Sequence, residues 1–136
     1  MPDHQAGHGP SRQLSERLRT VGPGWHPLLL RLHTQISALD ADYKVEDLKE
    51  KLGTLRVRIV VPEPQRSGAR DLVRSAEEQS ENTCEFCGAT GHRRHRGDAP
   101  YGWIKTVCDT CHAEWSRHDI MIVNGAVHRR EQRRTP

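Results

Sequence analysis

Two pairs of cysteines constrain this chain more than any other feature of its sequence. Each pair has two residues between its members, and twenty residues separate the pairs, which are Cys84 with Cys87 and Cys108 with Cys111. A two-residue gap lets both thiolates of a pair turn toward one point, and two such pairs complete a tetrahedral zinc site. We therefore predict one structural Zn²⁺ ion held by these four cysteines. The alternative ligand set includes His92 or His112.

The composition agrees with a metal-stabilised protein rather than one with a large apolar core. Only 34% of the 136 residues are hydrophobic and 4% are aromatic. Proteins with small cores commonly need an additional stabilising cross-link, and a structural metal supplies one. All four cysteines belong to the two pairs, and the sequence shows neither a signal peptide nor an apolar run of membrane-spanning length. We therefore expect a cytoplasmic protein with metal-bound thiols, without disulfides and without a membrane contact.

Positive charge is concentrated in the cysteine-rich half of the chain. Residues 1–83 carry 12 basic and 12 acidic side chains, whereas residues 84–136 carry 9 basic and 6 acidic ones. A zinc ion bound by four thiolates has a net charge of about −2, which offsets most of that excess. The protein is therefore not a polycation, and a contact with nucleic acid must depend on local clusters.

The sequence predicts an α+β fold in four segments. Residues 1–24 are predicted to be a disordered tail, because His, Gly and Pro are frequent and a Gly-Pro-Gly breaker ends the segment. Residues 25–82 form an N-terminal α/β region, whose small helices and strand should pack on a zinc-ribbon-like module over residues 83–128. Residues 129–136 form a flexible basic tail.

The N-terminal region combines helical spacing with strand-like alternation. A helix over residues 27–40 has one apolar face, made by Leu28, Leu29, Leu32, Ile36 and Leu39. Residues 45–52 favour a second, short helix that ends at Gly53, and the competing interpretation is a strand hairpinned to the next one. Alternating apolar residues predict a strand over residues 55–61. A third helix is expected over residues 67–80.

The cysteine-rich module should contain a strand that leads into the second cysteine pair. A short helix is expected over residues 112–119. Asn124-Gly125 between two apolar arms predicts a hairpin. Phe86 and Trp103 are expected to fill a small core beside the metal.

Three stretches carry a resemblance to a known group of proteins. They are Gly24-Trp25-His26-Pro27-Leu28, the segment Lys49-Glu50-Lys51-Leu52-Gly53-Thr54-Leu55-Arg56, and the two cysteine pairs with Trp103 ahead of the second. From about residue 25 to residue 115, the chain resembles a group of short, largely uncharacterised actinobacterial and bacteriophage proteins. In that group a Trp-led helix precedes a K-E-K-F-G-x-L-R segment and an apparent zinc ribbon. The resemblance implies this architecture and no particular activity, and Leu52 stands where the group has Phe.

Arginine clusters indicate a surface for a partner. Histidines and arginines fill residues 92–96, and the C-terminal tail is rich in arginine. A guanidinium group can donate two parallel hydrogen bonds to phosphate oxygens. We therefore predict a small binding or adaptor protein that contacts nucleic acid or a protein complex that handles nucleic acid. The residues predicted to make this contact are Arg93, Arg94, Arg96, Arg129, Arg130, Arg133 and Arg134. A solvated loop with a solubilising tail is the alternative.

A second functional hypothesis is a degenerate metal-dependent nuclease. Cys108-Asp109-Thr110-Cys111-His112 resembles the second cysteine pair of the HNH nucleases, in which a histidine activates water beside a divalent ion. His95 or His92 would be that base. The further ligand would be His112 or His118. The loop between the cysteine pairs lacks the Asp-His pair and the later Asn of that motif.

A third hypothesis is a protein-only partner, such as an immunity or antitoxin-like factor, which would use the neutral N-terminal half. Conventional enzyme signatures are missing, since the chain has no phosphate-binding glycine loop, no G-x-S-x-G and no H-E-x-x-H. We therefore expect a binding protein rather than an enzyme, and no small-molecule substrate.

Overall fold

The computed structural model describes residues 12–130 and confirms the α+β class. Helices α1, α2 and α3 cover His26–Leu39, Arg66–Ser80 and Asp109–Ser116. Strands β1 to β6 cover Lys44–Lys51, Thr54–Val60, His92–His95, Ile104–Val107, Ile120–Val123 and Ala126–Arg129. They pair into three two-stranded antiparallel sheets, β1–β2, β3–β4 and β5–β6. Short 3₁₀ turns cover Leu14–Glu16, Leu18–Thr20, Pro23–Trp25, Glu63–Gln65 and Arg96–Asp98.

The larger core lies between α1, α2 and the β1–β2 sheet. Helix α1 begins beside Pro27, which suits a first turn because its missing N–H has no intrahelical acceptor there. The predicted apolar face of α1 is confirmed for Leu28, Leu29, Leu32 and Ile36, which are buried, but not for Leu39, which is exposed at the end of the helix. Residues of β1 and β2 complete this core, among them Leu48 at 3% and Leu55 at 0% exposure.

The helix predicted over residues 45–52 is wrong, and the competing strand interpretation is correct. Strand β1 pairs with β2 through a tight turn at Leu52-Gly53, where φ is +52° and +85°. The register shifts between Val45 and Asp47, and this β-bulge places both Val45 and Leu48 on the buried face. Their three-residue spacing, which suggested a helix, is therefore produced by an extra residue in a strand.

The predicted disordered tail is ordered from Arg12 onward. Leu14 and Val21 are 0% and 1% exposed and belong to the larger core. The Leu14 N–H donates a hydrogen bond to the hydroxyl of Tyr43 at 2.9 Å, so the segment is attached to the start of β1. Burial of these apolar side chains compensates for ordering a segment that has little regular structure. Residues 1–11 lie outside the described residues.

A smaller core surrounds the cysteines. Its buried apolar residues include Phe86, Val107, Trp115 and Ile120. The predicted core role of Phe86 is confirmed, whereas that of Trp103 is wrong, because Trp103 is 79% exposed. The predicted Asn124-Gly125 hairpin is confirmed as β5–β6. No helix within residues 12–130 is both long and apolar enough to cross a membrane.

Candidate metal centre

The first cysteine pair lies in a tight loop that follows α2. The Cys84 N–H donates to the Ala89 carbonyl at 2.7 Å, and the Gly88 N–H donates to the Cys84 carbonyl at 2.9 Å. Gly88 has φ +86°, a conformation that costs little only for glycine. This turn points the Ala89 N–H at the Cys87 sulfur, 3.4 Å away. One backbone N–H of the loop therefore faces the Cys87 sulfur.

The second pair lies at the start of α3, directly after β4. Cys108 is the N-cap residue, and its sulfur accepts a hydrogen bond from the Cys111 N–H at 3.4 Å. The N-terminus of a helix favours negative charge because its first N–H groups have no intrahelical acceptor. The predicted succession of cysteine pair, hairpin and cysteine pair is observed, and the second pair also opens a helix.

The two pairs converge at one point. All four sulfur atoms lie within 4.8 Å of one another, and the Cys87 and Cys108 sulfurs are 3.7 Å apart. Cys84 and Cys111 are buried, whereas Cys87 is exposed. Within residues 12–130, these four form the one group of three or more histidine, cysteine or acidic side chains placed to hold a metal ion. The cysteines that the sequence singled out thus form one cluster that could hold a metal ion.

The surroundings of the thiols raise the pKa of some cysteines and lower that of another. Burial raises the pKa of Cys84, and burial together with the nearby Cys84 charge raises the pKa of Cys111. Burial also acts to raise the pKa of Cys108, but the Cys111 N–H and hydrogen bonds from the other thiols outweigh it, so that this pKa is lowered. Four adjacent thiolates repel one another, and a bound cation removes that repulsion.

Glu85 connects the first cysteine pair to the N-terminal segment, and sequence reasoning missed it. Its side chain is 2% exposed and accepts hydrogen bonds from the Gly22 N–H at 3.0 Å and from Lys105 Nζ at 2.8 Å. The Glu85 carbonyl accepts from the Gly24 N–H at 2.8 Å. Nearby, the Trp25 indole N–H donates to the Thr83 carbonyl at 2.8 Å. The metal centre and the larger core are therefore joined through buried polar contacts.

Arginines 93, 94 and 96, predicted to lie in a contact loop, belong to β3 and the turn that follows it. Arg94 pairs with Asp109 at 3.0 Å and with Asp98 at 3.5 Å. The Arg96 Nε–H donates to the Trp115 carbonyl at 2.7 Å, and its guanidinium lies 5.5 Å from the Trp115 ring centroid. The Arg93 Nε–H donates to the Leu52 carbonyl at 3.0 Å. All three side chains therefore make contacts within the molecule.

The described arginines near the C-terminus are also paired. Arg129 forms two hydrogen bonds with the Glu114 carboxylate, at 3.0 and 3.3 Å, and Arg130 pairs with Asp119 at 2.9 Å. These pairs join β6 to α3 and to the segment before β5. Arg133 and Arg134 lie outside the described residues. Contact of the arginine set with nucleic acid stays a prediction.

The histidines near the site have structural contacts. His112 is 6% exposed, and its Nε2 lies 2.9 Å from the His95 carbonyl oxygen and 3.4 Å from an Asp98 carboxylate oxygen. His95 Nδ1 lies 3.0 Å from the Gly102 carbonyl oxygen. Neither His92 nor His112 belongs to the group of converging ligand atoms. His112 therefore connects α3 to the end of β3.

Comparison with known proteins leaves this site to be interpreted from its own geometry. No protein-family model, curated protein or solved structure matches the chain. The resemblance to the actinobacterial and bacteriophage group stays a prediction, as does the nuclease hypothesis.

Proposed function

We propose that this protein is a non-enzymatic binding or adaptor protein, whose cysteine-rich half is folded around one structural Zn²⁺ ion. The convergence of four cysteine sulfurs within 4.8 Å carries this proposal. Zinc binds thiolate sulfur at about 2.3 Å in a tetrahedron, which separates the sulfurs by about 3.8 Å. The Cys87 and Cys108 sulfurs, at 3.7 Å, already match that spacing.

A structural role suits this ligand set better than a catalytic one. Four thiolates fill a tetrahedral zinc ion and leave no position for a reacting water or substrate, whereas catalytic zinc keeps one position open. The metal would tie the loop after α2 to the first turn of α3, two segments that share only a small apolar core. In such modules the binding free energy of the metal is also folding free energy.

The partner we propose is nucleic acid, or a protein complex that handles it. The excess of basic over acidic residues within 84–136 supports this proposal. The arginines of β3 and β6 are engaged within the molecule, but a guanidinium has five N–H donors and each of these contacts uses one or two. Donors therefore remain for phosphate oxygens on Arg93 and Arg129, both of which are exposed.

Three measurements test this proposal. Elemental analysis of the purified, reduced protein should find about one zinc ion per chain, and chelation should unfold the cysteine-rich half. Protein that holds no metal and keeps its structure under chelation would overturn the zinc assignment. A pull-down from a native host, with and without nuclease treatment, then separates a nucleic-acid partner from a protein-only partner.

A further inference from the structure

An exposed aromatic groove has no role in the metal centre. Tyr101 is 100% exposed, Trp103 79% and Leu52 57%. These side chains, together with Glu50, Lys51, Gly102 and Ile104, line a groove of about 400 Å³ between the β1–β2 turn and the start of β4. Large aromatic side chains that are this exposed and that line the same groove are typical of a surface that binds a partner.

The two walls of this groove are held together by close contacts. The Thr106 hydroxyl donates to the Gly53 carbonyl at 2.7 Å, and the Arg93 Nε–H donates to the Leu52 carbonyl at 3.0 Å. A Cβ at Gly53 would lie 3.2 Å from the Lys105 backbone, so the turn lies directly on β4. The start of β4, which follows the aromatic residues directly, is therefore held against the β1–β2 turn.

A basic strip continues from the groove along the outer face of β1–β2. Lys49 is directly opposite Arg56 in the register, and like charges in that position destabilise a hairpin. A second groove of about 270 Å³ follows this face, lined by Lys49, Lys51, Arg56, Arg58, Asp47, Glu77 and Val57. Its four cations face two carboxylates, and Lys51 lines both grooves. A bound anion would relieve the repulsion between Lys49 and Arg56.

We propose that the aromatic groove and the basic strip together bind single-stranded nucleic acid, with bases stacked on Trp103 and Tyr101 and phosphates along Lys49, Lys51 and Arg56. This inference rests on the proposed nucleic-acid partner and names the surface that contacts it. Aromatic rings beside a cationic groove are the chemistry by which proteins bind single strands, because every base has a π-face. A duplex keeps its bases stacked inside and offers these rings nothing to stack on.

The strip has more capacity for phosphate than the predicted arginine set. Within residues 12–130, the Lys51 ammonium has no hydrogen-bond or ion-pair partner, and the Lys49 ammonium has Asp47 at 3.4 Å. By contrast, Arg94 pairs with two carboxylates and is only 24% exposed. Charges already neutralised inside the molecule release fewer counterions from a nucleic acid. The first contacts with phosphate are therefore made by the lysines of β1.

The test measures binding by the fluorescence anisotropy of labelled oligodeoxythymidine and oligouridine of about 12 nucleotides. A labelled duplex of equal length is measured for comparison. The zinc-loaded full chain should bind the single strands more tightly than the duplex. Trp103→Ala and Tyr101→Ala should each weaken binding roughly 10-fold. Met121→Ala, which removes an exposed apolar side chain (54%) from β5, is the control and should leave affinity unchanged.

Two further readouts separate stacking from charge. Because Trp25 and Trp115 are buried, a stacked base should quench the emission of Trp103 alone among the three tryptophans. Lys49→Gln with Lys51→Gln should reduce the slope of log affinity against log salt by about 2. Arg19→Gln with Arg31→Gln, exposed charges that line neither of these two grooves, should leave that slope unchanged.

Each contrary outcome has a distinct meaning. A zinc-loaded protein that binds no oligonucleotide overturns this inference and leaves the structural zinc proposal standing. Binding that is unchanged in both Trp103→Ala and Tyr101→Ala assigns nucleic acid to another surface and also overturns it. A dimer that Trp103→Ala dissociates in sedimentation would assign the groove to a second copy of the chain instead. If the purified protein contains no zinc, the proposed function itself is overturned.

Discussion

Gly24 lies directly against the backbone of Cys84. A Cβ at residue 24 would overlap the Cys84 carbonyl oxygen and lie 2.5 Å from the Gly88 nitrogen. The Gly24 N–H also donates to the Glu85 carbonyl at 2.8 Å. The loop that carries the first two metal ligands is therefore shaped against the turn that precedes α1. Because its position depends on this backbone contact, the metal centre and the larger core form one packed unit.

Gly24→Ala should lower both stability and metal affinity. The methyl group meets backbone rather than a flexible side chain, so the loop must move, and we expect a loss of about 2–4 kcal/mol. Urea unfolding of the metal-loaded variant and competition with a chelator measure the two effects. Gly68→Ala is the control, because its Cβ meets only Leu39 methyl groups at 3.3 Å or more and alanine favours a helix interior. Equal behaviour of the two variants would contradict the assigned contact.

Cys84→Ser and Cys111→Ser should each remove most of the bound zinc. Both replace a buried sulfur ligand by a hydroxyl that binds zinc poorly, and the smaller core cannot compensate for the lost metal. Metal content by elemental analysis and thermal unfolding with and without chelator are the measurements.

His92→Gln and His112→Gln serve as controls for the ligand set, because neither ring nitrogen joins the sulfur cluster. Zinc content should stay at the wild-type level in both. Since His112 is buried and bonded to the His95 carbonyl, its variant should lose stability without losing metal. Loss of zinc in either variant would bring a histidine into the ligand set.

The Glu85–Lys105 pair should contribute to the junction between the two cores. The carboxylate is buried and the ammonium lies 2.8 Å from it, so Glu85→Gln leaves a partly buried charge with only Glu50 at 3.9 Å. Removal of one partner should cost about 1–3 kcal/mol. A double-mutant cycle in urea with Glu85→Gln, Lys105→Met and the double variant measures the coupling. A coupling energy near zero would show that the pair adds nothing to stability.

Tyr43 should make stability fall at high pH. Burial raises the pKa of its phenol, and the hydrogen bond from the Leu14 N–H lowers it only in part. In the unfolded chain the phenol loses its proton near the ordinary value of 10.0. Its stabilising contribution is therefore complete below that pH and is lost as pH rises above it. The free energy of unfolding should fall more steeply with pH in the wild type than in Tyr43→Phe, and parallel curves would contradict this assignment.

Local spacing was enough to predict the convergence of the four cysteines and most helices and turns. The two cysteine pairs could be assigned because a two-residue gap brings both sulfurs of a pair to one point regardless of the rest of the fold. The apolar face of α1 and the hairpin at Asn124-Gly125 followed from helical periodicity and from turn chemistry in the same way. Each of these features depends on residues within about one or two turns of chain.

The segments that were predicted wrongly depend on distant partners. Residues 45–52 carry a helical spacing of apolar residues, but pairing with β2 and a bulge at Glu46 make them a strand. Residues 12–24 become ordered because Leu14 and Val21 find places in a core built by later elements. Trp103 looks like a core residue in the sequence, yet the chain turns it outward before β4. Glu85 was missed because its partners, Gly22 and Lys105, lie far from it in sequence.

The sequence by itself determined which four side chains converge where they could hold a metal ion, since ligand type and spacing are local properties. Only the tertiary structure decided what surrounds them. It gave Arg94 and Arg96 partners within the molecule, and it placed Trp103 and Tyr101 beside the lysines of β1. The physical reason is that charge neutralisation and exposure depend on which groups lie nearby in space, and the β1–β2 turn meets β4 across about fifty residues of chain.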